Sequence, residues 1–154
     1  MKNGYGINVF FRLAEAICIV TLVLSAVIVL LEYRELPDVI AIHFDITGQP
    51  DGWGGKGTIF ALPAVGVFLY TVITFIETKP RLWNVPGGMD VYSYHATRAL
   101  LQSEKLAMCL IIGYLSVCVA KQLPLHSIFL PITLVITFGP IILYLVKLYR
   151  YRKI

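Results

Sequence analysis

His43, Asp45 and Asp51 bring one imidazole and two carboxylates into a single short segment, a donor set that suits a divalent transition metal. His43 and Asp45 stand two apart, which on an extended strand puts both on one face. Two readings stay open. The three can share an ion, or Asp45 orients His43 while Asp38 and Asp51 accept backbone N–H bonds in turns. His43 can also titrate near neutral pH and make ligand binding pH-sensitive. Metal-assisted hydrolysis at these residues is the one enzymatic chemistry on offer, because the chain has no Ser-His-Asp order, no H-E-x-x-H and no G-x-S-x-G. The expectation is a protein that is not an enzyme. A second pair, Arg12 and Glu15, stands three apart, a helical spacing that lets them meet, and an ionisable pair inside a span is a functional candidate by default. The alternative is that Arg12 snorkels to the interface and Glu15 satisfies it; Arg81 and Arg98 are further partners for Glu15 across helices. Cys18, Cys109 and Cys118 lie in apolar runs without C-x-x-C spacing, and read as small apolar fillers.

The elements that position these groups follow from composition. Of 154 residues, 58% are hydrophobic and only 14% charged, with a mean hydropathy of +0.78, whereas soluble domains carry about 25% charge. An ordinary soluble domain is excluded, and the length leaves no room for a soluble catalytic domain beside a membrane part. The sequence predicts one membrane domain over 1–154 with spans at roughly 9–31, 58–77, 106–122 and 127–146. Asp90 can cap a helix that runs through Tyr92, Ala96, Leu100 and Leu101 into the third span. Pro131 and Gly139-Pro140 predict a bend in the fourth. The first span is too long for a signal-peptide core and lacks a cleavage site. No span shows a charge near its middle, which speaks against a proton-coupled transporter or voltage sensor. The predicted fold class is an all-α integral membrane protein, a four-transmembrane-helix bundle with a short β-strand and turn in the extracytoplasmic loop between helices 1 and 2.

Orientation comes from the basic residues. Lys2, Arg12, Lys79, Arg81, Arg98, Lys105, Lys147, Arg150, Arg152 and Lys153 fall on one side, and Arg34, Lys56 and Lys121 on the other, so both termini are expected in the cytoplasm. The net charge of +4 then sets orientation, and no nucleic-acid partner is expected. The tail YRYRKI reads as a positive-inside anchor with tyrosines at the interface. The cytoplasmic loop 78–105 contains an amphipathic stretch with Tyr94, Arg98 and Gln102 on its polar side, packed against the bundle or headgroups or docking a regulator. His95 and His126 fall on opposite sides of the membrane and cannot share a metal.

Loop 32–57 faces outward and holds Glu32, Glu35, Asp38, Asp45 and Asp51, a weak attraction for cationic ligands. From Ile40 to Thr47 apolar and polar residues alternate, which predicts a half-buried strand with Ile40, Ile42, Phe44 and Ile46 on one face. Gly48 to Gly55 supplies turn chemistry. Either Trp53 to Ile59 returns as a second strand, or another copy or a partner completes the edge; the reading favours a partner or a second copy. Trp53 is an interface residue or a recognition anchor.

Leu36-Pro37-Asp38, Ile40, His43-Phe44, Gly48, Asp51 and Lys56, placed directly after a first span, carry a resemblance. The segment resembles the SdpI-like bacterial membrane proteins, whose N-terminal domain (domain of unknown function 1648) opens the immunity protein against the sporulation-delaying peptide toxin. That pattern is L-P-x-x-I-P-x-H-x-x-x-x-G-x-x-D with a lysine shortly after. The likeness covers roughly residues 9–75, Ala41 replaces the usual second proline, and the family's further spans are not recognisable. The resemblance implies a multi-pass protein of the bacterial cytoplasmic membrane. Loop and resemblance together point to an extracytoplasmic sensing or toxin-immunity module in contact with membrane lipid. It would bind a peptide or envelope protein through His43, Phe44, Asp45, Gly48, Asp51, Trp53 and Lys56, with Leu36, Pro37 and Asp38 as structural motif and no cofactor beyond a divalent metal. The competing reading is a scaffold subunit of a transporter or enzyme complex, which requires a homo-oligomer or larger partner because four helices enclose little volume.

Overall fold

The computed structural model describes residues 4–152, so Lys2 and Lys153 of the orientation argument lie outside the described residues. Helix α1 (Gly4–Glu32) leads into a hairpin of β1 (Val39–Phe44) and β2 (Pro50–Gly55), then a 3-10 turn (Lys56–Phe60) and α2 (Ala61–Glu77). A second 3-10 turn (Pro80–Leu82) precedes α3 (Val91–Ala120) and α4 (Phe129–Arg152). All four α-helices are long and apolar enough to cross a membrane.

Helix α3 is the organising element, packed on α1, α2 and α4. It starts at Asp90, whose backbone is extended and whose carboxylate accepts the Ser93 N–H at 2.7 Å, the expected N-cap. It begins well before residue 106, so the amphipathic stretch and the third apolar run form one continuous helix. Of the alternatives for Tyr94, Arg98 and Gln102, packing against the bundle is the one observed: Gln102 is fully buried, Arg98 lies over the Phe11 ring of α1 and reaches Glu77 of α2, and Tyr94 stacks on Trp83. Half of the most apolar eighteen-residue stretch of α3 is buried and none of that of α4 is. The least apolar span is therefore the innermost, as expected where helices associate through small and polar side chains instead of a hydrophobic force.

Three contacts bring the helices close. A Cβ at Gly113 would lie 2.4 Å from the Thr21 side chain, and one at Gly66 would lie 2.7 Å from Leu22. Ser25 donates to Ser116 across α1 and α3 at 2.6 Å, both residues buried, and Ser116 donates in turn to the Ile112 carbonyl. Cys18, Leu22 and Cys109 fill the same seam, so these two thiols do act as small fillers.

The hairpin end differs from expectation in two ways. The strand is completed within the chain: β2 pairs antiparallel with β1, and the Gly-rich segment read as turn is the second strand. The turn itself is confined to Asp45–Gln49, closed by Asp45 N–H to the Gln49 carbonyl at 2.8 Å and Gly48 N–H to the Asp45 carbonyl at 3.0 Å. The strict alternation also fails. The register shifts between Ala41 and His43, a bulge that buries Ala41 beside Ile40 and leaves Ile42 and Ile46 exposed, as extra-residue irregularities in a ladder do.

Candidate functional site

The hairpin is anchored to the bundle at both ends. At its base, Leu36 and Ile40 pack with Val29, Ile59, Val119 and Ala120. Lys56 reaches back to Asp38 at 3.1 Å and to the Leu36 carbonyl at 3.4 Å, and stands 5.7 Å from the Tyr33 ring. Leu36, Asp38 and Lys56 therefore fasten the loop, while Pro37 is exposed. At its tip, Gly48 takes φ +87 and its carbonyl accepts the Leu125 N–H at 2.8 Å. A Cβ there would lie 2.3 Å from the Leu125 carbonyl oxygen, so both conformation and space require glycine. This bond joins the α1–α2 connection to the α3–α4 connection and puts the two loops on one side of the bundle.

The proposed metal-ligating residues do not converge. Asp45 turns onto its own loop, where Oδ1 accepts Thr47 N–H (2.8 Å), Thr47 O–H (2.7 Å) and Gln49 N–H (2.9 Å). The Thr47 hydroxyl, then the Gln49 amide, hold its carboxyl below the usual carboxylate range. His43 is oriented instead by Asp51, with Nδ1 2.5 Å from Oδ1. Among the described residues no group of three or more His, Cys, Asp or Glu side chains is arranged to hold a metal ion. Phe44 is half-buried against the core. His43, Asp51 and Trp53 remain outward: Asp51 and Trp53 alternate onto the exposed face of β2, and Trp53 is 59% exposed. Beneath β1 lies an apolar slot of about 260 Å³ between the hairpin, the 3-10 turn, α2 and α3, lined by Ala41, Phe44, Ile59, Leu62, Leu115 and Val119 among others.

A second constellation lies within the helices. Lys105, fully buried, donates to Glu15, to Glu77 at 2.8 Å and to Thr74 Oγ1 at 3.3 Å, and faces the Tyr70 ring at 5.3 Å. Tyr70 O–H donates to the other Glu15 oxygen at 2.7 Å, and Arg98 Nε reaches Glu77 at 3.3 Å. Four charges of two signs thus join α1, α2 and α3. This corrects two expectations. Glu15 pairs with Lys105 and not with Arg12, which is exposed and makes no ion pair among the described residues. Arg98 meets Glu77 and not Glu15. By helical rise Glu15 lies ~9 Å along α1 from Val9, and Lys105 ~21 Å along α3 from Val91. Lys105 was counted as a loop residue because the apolar run begins after it. The signal was its helical face, since Gln102, Lys105, Cys109 and Ser116 follow one another at spacings of three, four and seven.

The model of a family described as a domain of unknown function (DUF1648) matches residues 20–67, the second half of α1 through the hairpin into α2. The match holds the hairpin and its fastenings other than Val119, Ala120 and Leu125, and omits Glu15, Glu77 and Lys105. No curated protein and no solved structure matches the chain.

Proposed function

We propose that this chain is a non-enzymatic recognition module of the bacterial cytoplasmic membrane, SdpI-like in its first half. Both termini would be cytoplasmic, and the hairpin would bind a peptide or envelope protein outside. The observation that carries the reading is the anchored hairpin, which holds Trp53 outward on β2 and encloses an apolar slot beneath β1. Large exposed aromatics beside a pocket are the usual anchors of recognition surfaces. His43 and Asp51 form the polar rim, and the loop acids favour a cationic partner. Lys56, Asp38, Asp45 and Gly48 serve by holding the loop's shape, so their loss would act through geometry and not through contact.

The test is a photo-crosslinking amino acid at Trp53 in living source cells, with captured species identified by mass spectrometry. Capture of one defined peptide or envelope protein, abolished by filling the slot with Leu115→Trp, supports the reading. Capture of the same chain alone, or of nothing, overturns it in favour of a scaffold role in a homo-oligomer or larger membrane complex.

A further inference from the structure

At the opposite end of the bundle from the hairpin, α3 and α4 line a cleft of about 370 Å³, inside the ~300–1,000 Å³ range of sites that hold small ligands. Its walls are Ala99 on α3 and Pro140 and Leu143 on α4; its rim is Tyr92, His95 and Lys147. The small side chains of Ala99 and Pro140 keep the cleft open. Tyr92 is held by stacking on Tyr151, ring centroids 4.2 Å apart, and the Thr97 and Tyr144 hydroxyls bond across the same two helices at 3.0 Å.

The charge pattern is one-sided. No Asp or Glu lines the cleft. Among the described residues Lys147 has no ion pair or hydrogen-bond partner, and neither does Arg150 one turn beyond it, whereas Arg152 is spent on the Gly87 and Gly88 carbonyls and Ser93. His95 meets the Tyr94 ring edge-on and has no ion pair among the described residues. An unneutralised lysine and an imidazole thus stand over an apolar trough at the end of a spanning helix pair. Basic pockets between transmembrane helices suit anionic headgroups.

We propose that this cleft is a binding site for one anionic phospholipid, with the phosphate on Lys147 and His95, the Tyr92 hydroxyl beside it, and an acyl chain lying along Ala99, Pro140 and Leu143. The apolar wall selects a lipid over free phosphate. The unpaired cations select an anionic headgroup over a zwitterionic one.

The test uses the full chain purified in a neutral detergent, with lipid retention read by native mass spectrometry against added phosphatidylglycerol, phosphatidylcholine and inorganic phosphate. The expected result is a single retained phosphatidylglycerol, at least fivefold more abundant than retained phosphatidylcholine and not displaced by millimolar phosphate. Lys147→Gln, at an exposed position that leaves the fold intact, removes that preference; Ala99→Phe, which fills the trough, removes retention itself. Arg81→Gln, outside the cleft, changes neither. Equal retention of the two lipids, displacement by phosphate, or a preference unchanged in Lys147→Gln overturns the proposal. Should Ala99→Phe fail to fold, Lys147→Gln decides alone.

Discussion

Replacing Lys105 by Met isolates the inner ion cluster. The ammonium is fully buried and holds two carboxylates, Glu15 and Glu77, from two different helices. Methionine preserves the length of the stem and removes the charge. Both carboxylates are then left facing one another in a poorly solvated seam, and breaking a buried pair in this way costs roughly 3–5 kcal/mol. Two features pull the figure to the low end: the Glu15 side chain keeps 32% exposure, and Arg98 still neutralises part of Glu77. The expected loss is about 3 kcal/mol, measured as unfolding free energy in mixed detergent micelles followed by circular dichroism. The triple variant Lys105→Met with Glu15→Gln and Glu77→Gln removes the stranded charges as well, and recovers all but ~1 kcal/mol, since neutral replacement of a whole buried ionic group is often close to neutral. Arg12→Gln, which removes the cation that spacing alone would have paired with Glu15, stays within about 0.5 kcal/mol of the parent. A Lys105→Met protein as stable as the parent, or a triple variant no better than the single, would refute the ion-cluster reasoning.

The other outer and inner features give further expectations. Gly48→Ala forces a positive φ on a residue with a Cβ and drives that carbon into the Leu125 carbonyl; it costs about 1–3 kcal/mol and frees the hairpin tip, visible as faster hydrogen exchange at Leu125 N–H. Asp45 has its folded pKa depressed, so its contribution to the turn is complete above the unfolded value near 4 and is lost as pH falls through the folded value. The Thr47 and Gln49 amides should therefore keep their exchange protection at pH 5 and lose it progressively below pH ~4, while Asp45→Ala removes it at every pH. Glu104, adjacent to Lys105, has a buried carboxyl oxygen without a hydrogen-bond partner among the described residues. Glu104→Leu should be neutral or stabilising in the same unfolding assay, the opposite of its neighbour.

The four spans were legible in the sequence because their signal is bulk apolarity over some twenty residues, which no tertiary contact overrides. The Asp90 cap and the Gly48 turn were legible for a local reason: each depends on a residue type that the backbone requires at that point. The pairing of the strand was not. Pro50 to Gly55 contains one proline and three glycines, a composition that reads as turn, and it forms a strand because glycine gives β1 a ladder partner without adding bulk. Gly52 lies against the His43 side chain and Gly54 against Ile42. Lys105 was hidden for a related reason. A hydropathy window sees a charge as the end of a span, whereas the helix continues through it once two carboxylates on other helices neutralise it.

The hairpin and the ion cluster share a cause that reaches beyond either. Lipid offers helices little reason to associate through apolar surface alone, so the positions of α1 and α3 rest on the few specific contacts along their common seam. From the Glu15 end toward the hairpin these are Glu15 with Lys105, Cys18 with Cys109, Thr21 over Gly113, and Ser25 with Ser116. The next layer in the same direction is Val29 with Val119 and Ala120, on which Leu36 and Ile40 of the hairpin rest. The platform of the hairpin is thus the apolar last layer of a seam that begins at a buried lysine. Residues 20–67, the stretch matched by the family model, supply the hairpin and one side of that seam from Thr21 onward. The opposing side is supplied entirely by α3, which lies outside the matched stretch. In this chain the hairpin's shape is therefore set within the matched stretch, while its tilt and height above the bundle are set by α3, outside it.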